Sequence, residues 1–145
     1  MVQVPTLAPR AIIRAVKGGA MGEADPVVHI DETDRRAGAP TSGMRREEAV
    51  ATDSTWGGLV HTDPGMVSGW HHHGDYESVI YVMTGRLRME SGPGGTNVSE
   101  AGPGDFLFVP RGSVHRESNP SDIGATAVVV RSGRGEPVVN VEGPA

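Results

Sequence analysis

The chain contains no cysteine, which removes disulfide scaffolds, thiolate metal sites, iron–sulfur clusters and cysteine nucleophiles in one step. Any transition metal must then be held by histidine and carboxylate. Long apolar runs are missing as well. The longest, residues 79–83 and 125–130 (the latter interrupted by Thr126), fall far short of the roughly 20 residues that span a bilayer. The first ten residues, MVQVPTLAPR, lack a basic stretch followed by an apolar one, so no secretory signal is visible and a cytoplasmic location is expected. Lysine is nearly absent, Lys17 being the single one among 13 basic residues, and the formal net charge is −5. That balance offers no overall attraction to phosphate backbones, which makes nucleic acid a poor partner. No Gly-x-Ser-x-Gly elbow occurs either, so a serine hydrolase is not indicated.

Glycine and proline, by contrast, are abundant, at 21 and 11 of 145 residues. A chain of this length suits one domain, 1–145, with enough surface to bury one core. The first fifty residues read as an arm carrying the first strands: 11–16 and 27–30 are short β-like runs, 31–43 a polar loop, and 45–50 a single helical turn. From Trp56 onward, candidate strands fall at 57–62, 66–71, 78–84, 86–91, 97–100, 105–109, 125–131 and 137–141. Turn residues such as Asp63-Pro64-Gly65 and Gly102-Pro103-Gly104 separate them. Short strands at nearly even spacing with no long helical period predict an all-β sandwich or barrel over 56–141.

Two stretches carry chemistry. In the first, Gly65 to His73, the histidines at 71 and 73 stand two apart, so on a strand they share one face while His72 points away. Glu77 follows a Gly74-Asp75-Tyr76 turn and is a candidate oxygen ligand. In the second, Phe106, Leu107, Phe108 and Val109 make both faces of a strand apolar, which predicts burial on both sides. Pro110 and Gly112 then stop the ladder and turn the chain before His115, with Asn119 four residues later.

These stretches resemble the two motifs of the cupin superfamily. Gly104, Pro110, Gly112, His115 and Asn119 match the second motif at every position, and Gly65, His71, His73 and Gly85 match the first. The resemblance covers roughly 56–141 and implies a double-stranded β-helix, a jelly-roll-like barrel whose mouth holds a metal ion. One position departs. Counting back from Gly85, the slot of the carboxylate ligand falls on Ser78, whereas the carboxylate itself stands at Glu77. Strand alternation turns Ser78 inward with Ile80 and Val82; a β-bulge at Glu77-Ser78 would bring the carboxylate in instead. The expected metal set is therefore His71, His73 and His115 with Glu77, or the three histidines alone.

The ion implied is one divalent transition metal, with Fe, Zn, Ni, Mn and Cu all compatible with a histidine and carboxylate set. Such a site, with open coordination positions, suits a metal-dependent enzyme acting on a small organic molecule. Dioxygenase-type oxidation is the first expectation. The alternatives are a redox-neutral cyclase, isomerase or lyase of polyketide-cyclase type using the ion as Lewis acid, and a non-catalytic small-molecule-binding cupin. His61 and Tyr81 are candidate pocket residues, as are Trp56 and Trp70. The resemblance also implies a homodimer with the N-terminal arm at the contact.

Overall fold

The computed structural model describes residues 25–135 and 137–145. Eleven strands are found among them, in two antiparallel sheets. Six strands form one sheet in the order β1 (Arg36–Ala37), β2 (Met44–Ala51), β3 (Thr55–Thr62), β10 (Ala125–Ser132), β5 (Glu77–Thr84) and β8 (Phe106–Val109). The other sheet runs β11 (Val139–Asn140), β4 (His71–His72), β9 (His115–Ser118), β6 (Leu87–Ser91) and β7 (Asn97–Ala101). Among the described residues, helix is confined to two short 3-10 turns, Glu32–Asp34 and Pro93–Gly95.

Alternation of side chains builds the interior. On β5, Ser78, Ile80 and Val82 are buried while Val79, Tyr81 and Met83 are exposed. On β10, Ala125, Ala127 and Val129 are buried in the same way. These residues pack against Leu87 and Met89 of β6, Ala101 of β7 and Val109 of β8 to make the core. Val82, at 0% exposure, sits at its centre; fully burying a valine side chain contributes about 1.5–3 kcal/mol. Gly85 permits the tight exit from β5. Its φ of +76° is left-handed, and a Cβ there would lie 2.5 Å from the Gly124 carbonyl oxygen, so any other residue would be strained and obstructed at once.

Several local expectations are corrected. Residues 45–50 are not a helical turn. They lie within β2, which pairs with β3 along its length, and the helix propensity of Arg-Arg-Glu-Glu-Ala yields to that pairing. The run at 27–30 is not a strand, and Val27 and Val28 are exposed; the run at 11–16 lies outside the described residues. The strand expected at 66–71 is reduced to His71–His72 plus an isolated bridge from Val67 to Ser118. Strand β8 is not buried on both faces. It is an edge strand, with Val109 buried but Phe106 69% and Phe108 60% exposed, because none of the described residues covers the outer face beside β5. Besides β2, two strands fall where none was expected: β1, in the polar loop, and β9, which starts at His115.

Candidate metal centre

Strands β4 and β9 place the histidines. His71 and His115 face each other directly in the β4–β9 register, and His73 follows just past the end of β4. Their ring centroids lie 4.4 to 5.1 Å apart, with one ligand nitrogen of each ring within 4.8 Å of the others. All three side chains are buried, at 7%, 7% and 3% exposure. The turn holding the second motif in place is tied to the first: Gly112 N–H donates to the Gly74 carbonyl at 2.9 Å. Asn119, 0% exposed, pins the chain behind His115. Its Nδ2 donates to the Thr62 and Ile123 carbonyls, and its Oδ1 accepts from the Ser121 backbone and hydroxyl.

Each ring is oriented by a main-chain carbonyl. His71 Nδ1 lies 2.8 Å from Gly69 O, His73 Nδ1 2.5 Å from Pro137 O, and His115 Nδ1 2.9 Å from Ser113 O. A carbonyl oxygen only accepts, so each Nδ1 carries the proton and each Nε2 of a neutral ring presents a lone pair. Burial favours the neutral form of His73 and His115. Desolvation, aided by the nearby Arg131 charge, pushes the His73 pKa down to about 3 despite the opposing Pro137 hydrogen bond. Desolvation likewise lowers the His115 pKa. Three buried imidazoles with tautomers locked for Nε2 donation, converging on one point, could hold a metal ion.

Of the residues expected at the site, Glu77 lies outside this group. It begins β5 facing away from the cavity, beside the exposed Arg111 guanidinium at 3.9 Å, and no bulge turns it inward. Ser78, 2% exposed, holds the inward position. His61 and Tyr81 are also outside the cavity, because both occupy outward positions of the six-stranded sheet. His61 Nε2 contacts Glu47 Oε2 at 2.5 Å, its Nδ1 contacts Thr126 Oγ1 at 3.1 Å, and the Tyr81 ring packs on Phe106. The hydrogen bond from His61, with Arg35 adding to it, holds the Glu47 pKa below the usual carboxylate value. Trp70 lies under Arg116, whose guanidinium also bonds Glu90 at 2.7 Å. Trp56 does line a cavity.

Three inward residues escaped sequence reasoning. Glu117 stands two residues after His115 on β9, hence on the same face, with its carboxylate 3.9 Å from His71 Nε2. The alternation rule applied to β9 would have found it, had that strand been recognised. Arg46 of β2 and Arg131 of β10 share the innermost space with His73, His115 and Glu117. The space widens in two directions. A cavity of about 240 Å³ opens onto His71, His73 and Glu117. Another of about 360 Å³ is lined by Trp56, Tyr76, Pro137, Val138 and both arginines. Arg46, Thr41 and Val138 border both.

Comparison with known proteins agrees with this architecture. The solved polyketide cyclase RemF from Streptomyces resistomycificus is similar at 22% identity and TM-score 0.67, over 80% of this chain and 86% of that one. KdgF from Halomonas sp. is similar at 19% identity and TM-score 0.64, over 76% and 96%. A sugar phosphate isomerase of the cupin superfamily from Silicibacter pomeroyi is similar at 23% identity and TM-score 0.56, over 72% and 71%. No curated relative matches the sequence. At these identities the likeness establishes the fold alone. Residues 58–140 match the family described as Cupin domain, and the chain is therefore a member of the cupin family.

Proposed function

We propose that the protein is a metal-dependent enzyme that moves protons on a small organic molecule, as in a cyclisation, isomerisation or elimination. The observation that carries this reading is the trio of carbonyl-locked histidines with a carboxylate, Glu117, beside them. His71, His73 and His115 would hold one divalent transition ion through their Nε2 atoms. The chemistry such an ion supplies is Lewis-acid stabilisation of negative charge developing on a substrate oxygen. Glu117 would then take a proton from the substrate and return it elsewhere, the role a carboxylate in a cavity next to the reacting atoms performs well. Trp56 and Tyr76 would shield the substrate body from water. RemF, a polyketide cyclase by its name, supports the proton-transfer class over the dioxygenase class, and Glu117 supports it independently.

The test is deuterium uptake from heavy water into small carbonyl compounds with acidic C–H bonds, using Zn(II)- and Fe(II)-loaded protein with oxygen consumption recorded in the same vessel. Uptake that needs metal and is lost in Glu117→Gln supports the proposal. Oxygen consumption specific to Fe(II) would replace it with the dioxygenase reading, and compound binding with neither signal would replace it with a binding module.

We also propose that a second copy of the chain covers the outer face of the six-stranded sheet. Val79, Phe108, Tyr81, Phe106 and Val130 are exposed cross-strand neighbours there, next to β8, which is an edge strand among the described residues. A contiguous apolar patch at a free strand edge is typical of an association surface. Light scattering should report a dimer that Phe108→Glu converts to monomer; a monomeric wild type overturns this.

A further inference from the structure

The cavity wall opposite the histidines is cationic, and its charges are only partly used by the protein. Arg131 is largely enclosed, and burial followed by the Arg46 charge lowers its pKa below arginine's ordinary value. Its Nε donates to Ser78 Oγ at 3.3 Å and its guanidinium lies 5.9 Å from the Trp56 ring centroid. Its two Nη atoms have no hydrogen-bond partner, and no ion pair is formed, among the described residues. Arg46 likewise forms no ion pair among them; it donates to the Ala39 carbonyl, Thr41 Oγ1 and Met44 Sδ, all neutral acceptors. Two guanidiniums facing one cavity without a carboxylate clamp are costly to the fold, since enclosed charges are normally paired. Glu48, which lines the same cavity, is engaged by Trp56 Nε1 at 2.8 Å, and Glu117, whose charge acts on Arg131, forms no ion pair with either arginine among the described residues.

We propose that Arg131, backed by Arg46, is the binding site for the carboxylate group of a ligand whose apolar, ring-sized body fills the cavity along Trp56, Tyr76 and Val138. The free fork of Arg131 matches the two oxygens of a carboxylate, a fit that a guanidinium makes and an ammonium does not. The remaining cavity, about 360 Å³ and largely apolar in its lining, suits a small aromatic or alicyclic body rather than a polyhydroxylated one. Arg131 borders both this space and the histidine centre, so a carboxylate held there lies between the ligand body and His73. This names the substrate class for the site proposed above and rests on that reading for its catalytic meaning, though not for its binding.

The experiment compares benzoate with benzamide, equal in size and different in charge, by calorimetric titration of the wild type, Arg131→Gln and, as control, Arg134→Gln, with metal content measured on every sample. Arg134 is an exposed residue beside Asp53. Expected are a preference for benzoate of about tenfold or more, its loss in Arg131→Gln, and its retention in Arg134→Gln. Equal affinity for the two probes, absence of binding by both, or an equal drop for both in Arg131→Gln overturns the proposal. If Arg131→Gln does not fold, Arg131→Lys carries the test: the charge stays, the planar fork goes, and the benzoate preference must fall. Inorganic phosphate binding tighter than benzoate overturns the carboxylate assignment. A protein that holds metal and is indifferent to benzoate disproves this inference alone, whereas one that prefers benzoate and holds no metal disproves the metal centre alone.

Discussion

The two walls of the central cavity are built from different sheets and have opposite chemistry. On the side of the five-stranded sheet, three buried histidines have their Nδ1 atoms tied to main-chain carbonyls, which leaves the Nε2 atoms to face a cation. On the six-stranded sheet, Arg46 and Arg131 present donors only. One wall suits a cation and the other an anion, and a molecule that bridges them would be gripped at one end and polarised at the other. Burial acts on both walls, but to different ends. An imidazole escapes the cost of desolvation by giving up its proton, whereas a guanidinium keeps its charge and must find a counter-charge.

The largest expected effect breaks the histidine wall. His115→Ala or His73→Ala should lower metal affinity by more than the roughly 10–100-fold that loss of an outer hydrogen-bonding partner costs, read as metal content after dialysis against a weak chelator. Glu77→Ala, at the surface beside Arg111, should keep its metal. Next in size is the support behind that wall. Asn119→Ala removes a fully buried side chain together with its hydrogen bonds to the Thr62 and Ile123 carbonyls and from Ser121, so denaturant unfolding should show a loss of about 2–4 kcal/mol.

A third prediction concerns acid. With a folded pKa of about 3 against 6.5 for the free side chain, His73 is neutral in the native state where the unfolded chain would already hold a proton. The metal-free protein should therefore lose stability as pH falls from about 6.5 toward 3, with no contribution from this ring above that window. Thermal melting across pH 3–8 checks the sign. The coupling between the walls supplies the next, smaller effect. Because the Arg131 charge is the second cause of the depressed His73 pKa, after burial, Arg131→Gln should raise that pKa only part of the way toward 6.5, as read by NMR titration of the ring protons. Smallest of all, His61→Ala and Tyr81→Phe should leave metal content and benzoate binding unchanged, since both side chains lie on the outer face of the six-stranded sheet.

The histidine wall was legible in the primary structure because its information is local. A two-residue spacing places His71 and His73 on one face, and Pro110 with Gly112 ends β8 in time for His115 to start a new strand. The choice between Glu77 and Ser78 was not legible, since adjacent residues on a strand differ only in parity. That parity is set by the pairing of Ser78 with Arg131 on one side and Val109 on the other. The same holds for Phe106 and Phe108, whose apolar character says nothing about whether their strand lies at the centre or the edge of a sheet.

What the linear chain determined by itself was an all-β fold with a trio of metal-competent histidines, because turn residues and strand periodicity act over a few positions. The tertiary structure alone decided that Arg46 and Arg131 face that trio, that Glu117 stands beside it and that Glu77 lies at the surface beside Arg111. Those facts depend on which strand lies beside which, through the β2–β3–β10–β5 register for Arg46, Arg131 and Glu77 and the β4–β9–β6 register for Glu117, and a shift of one residue in either would turn its side chains to the opposite face.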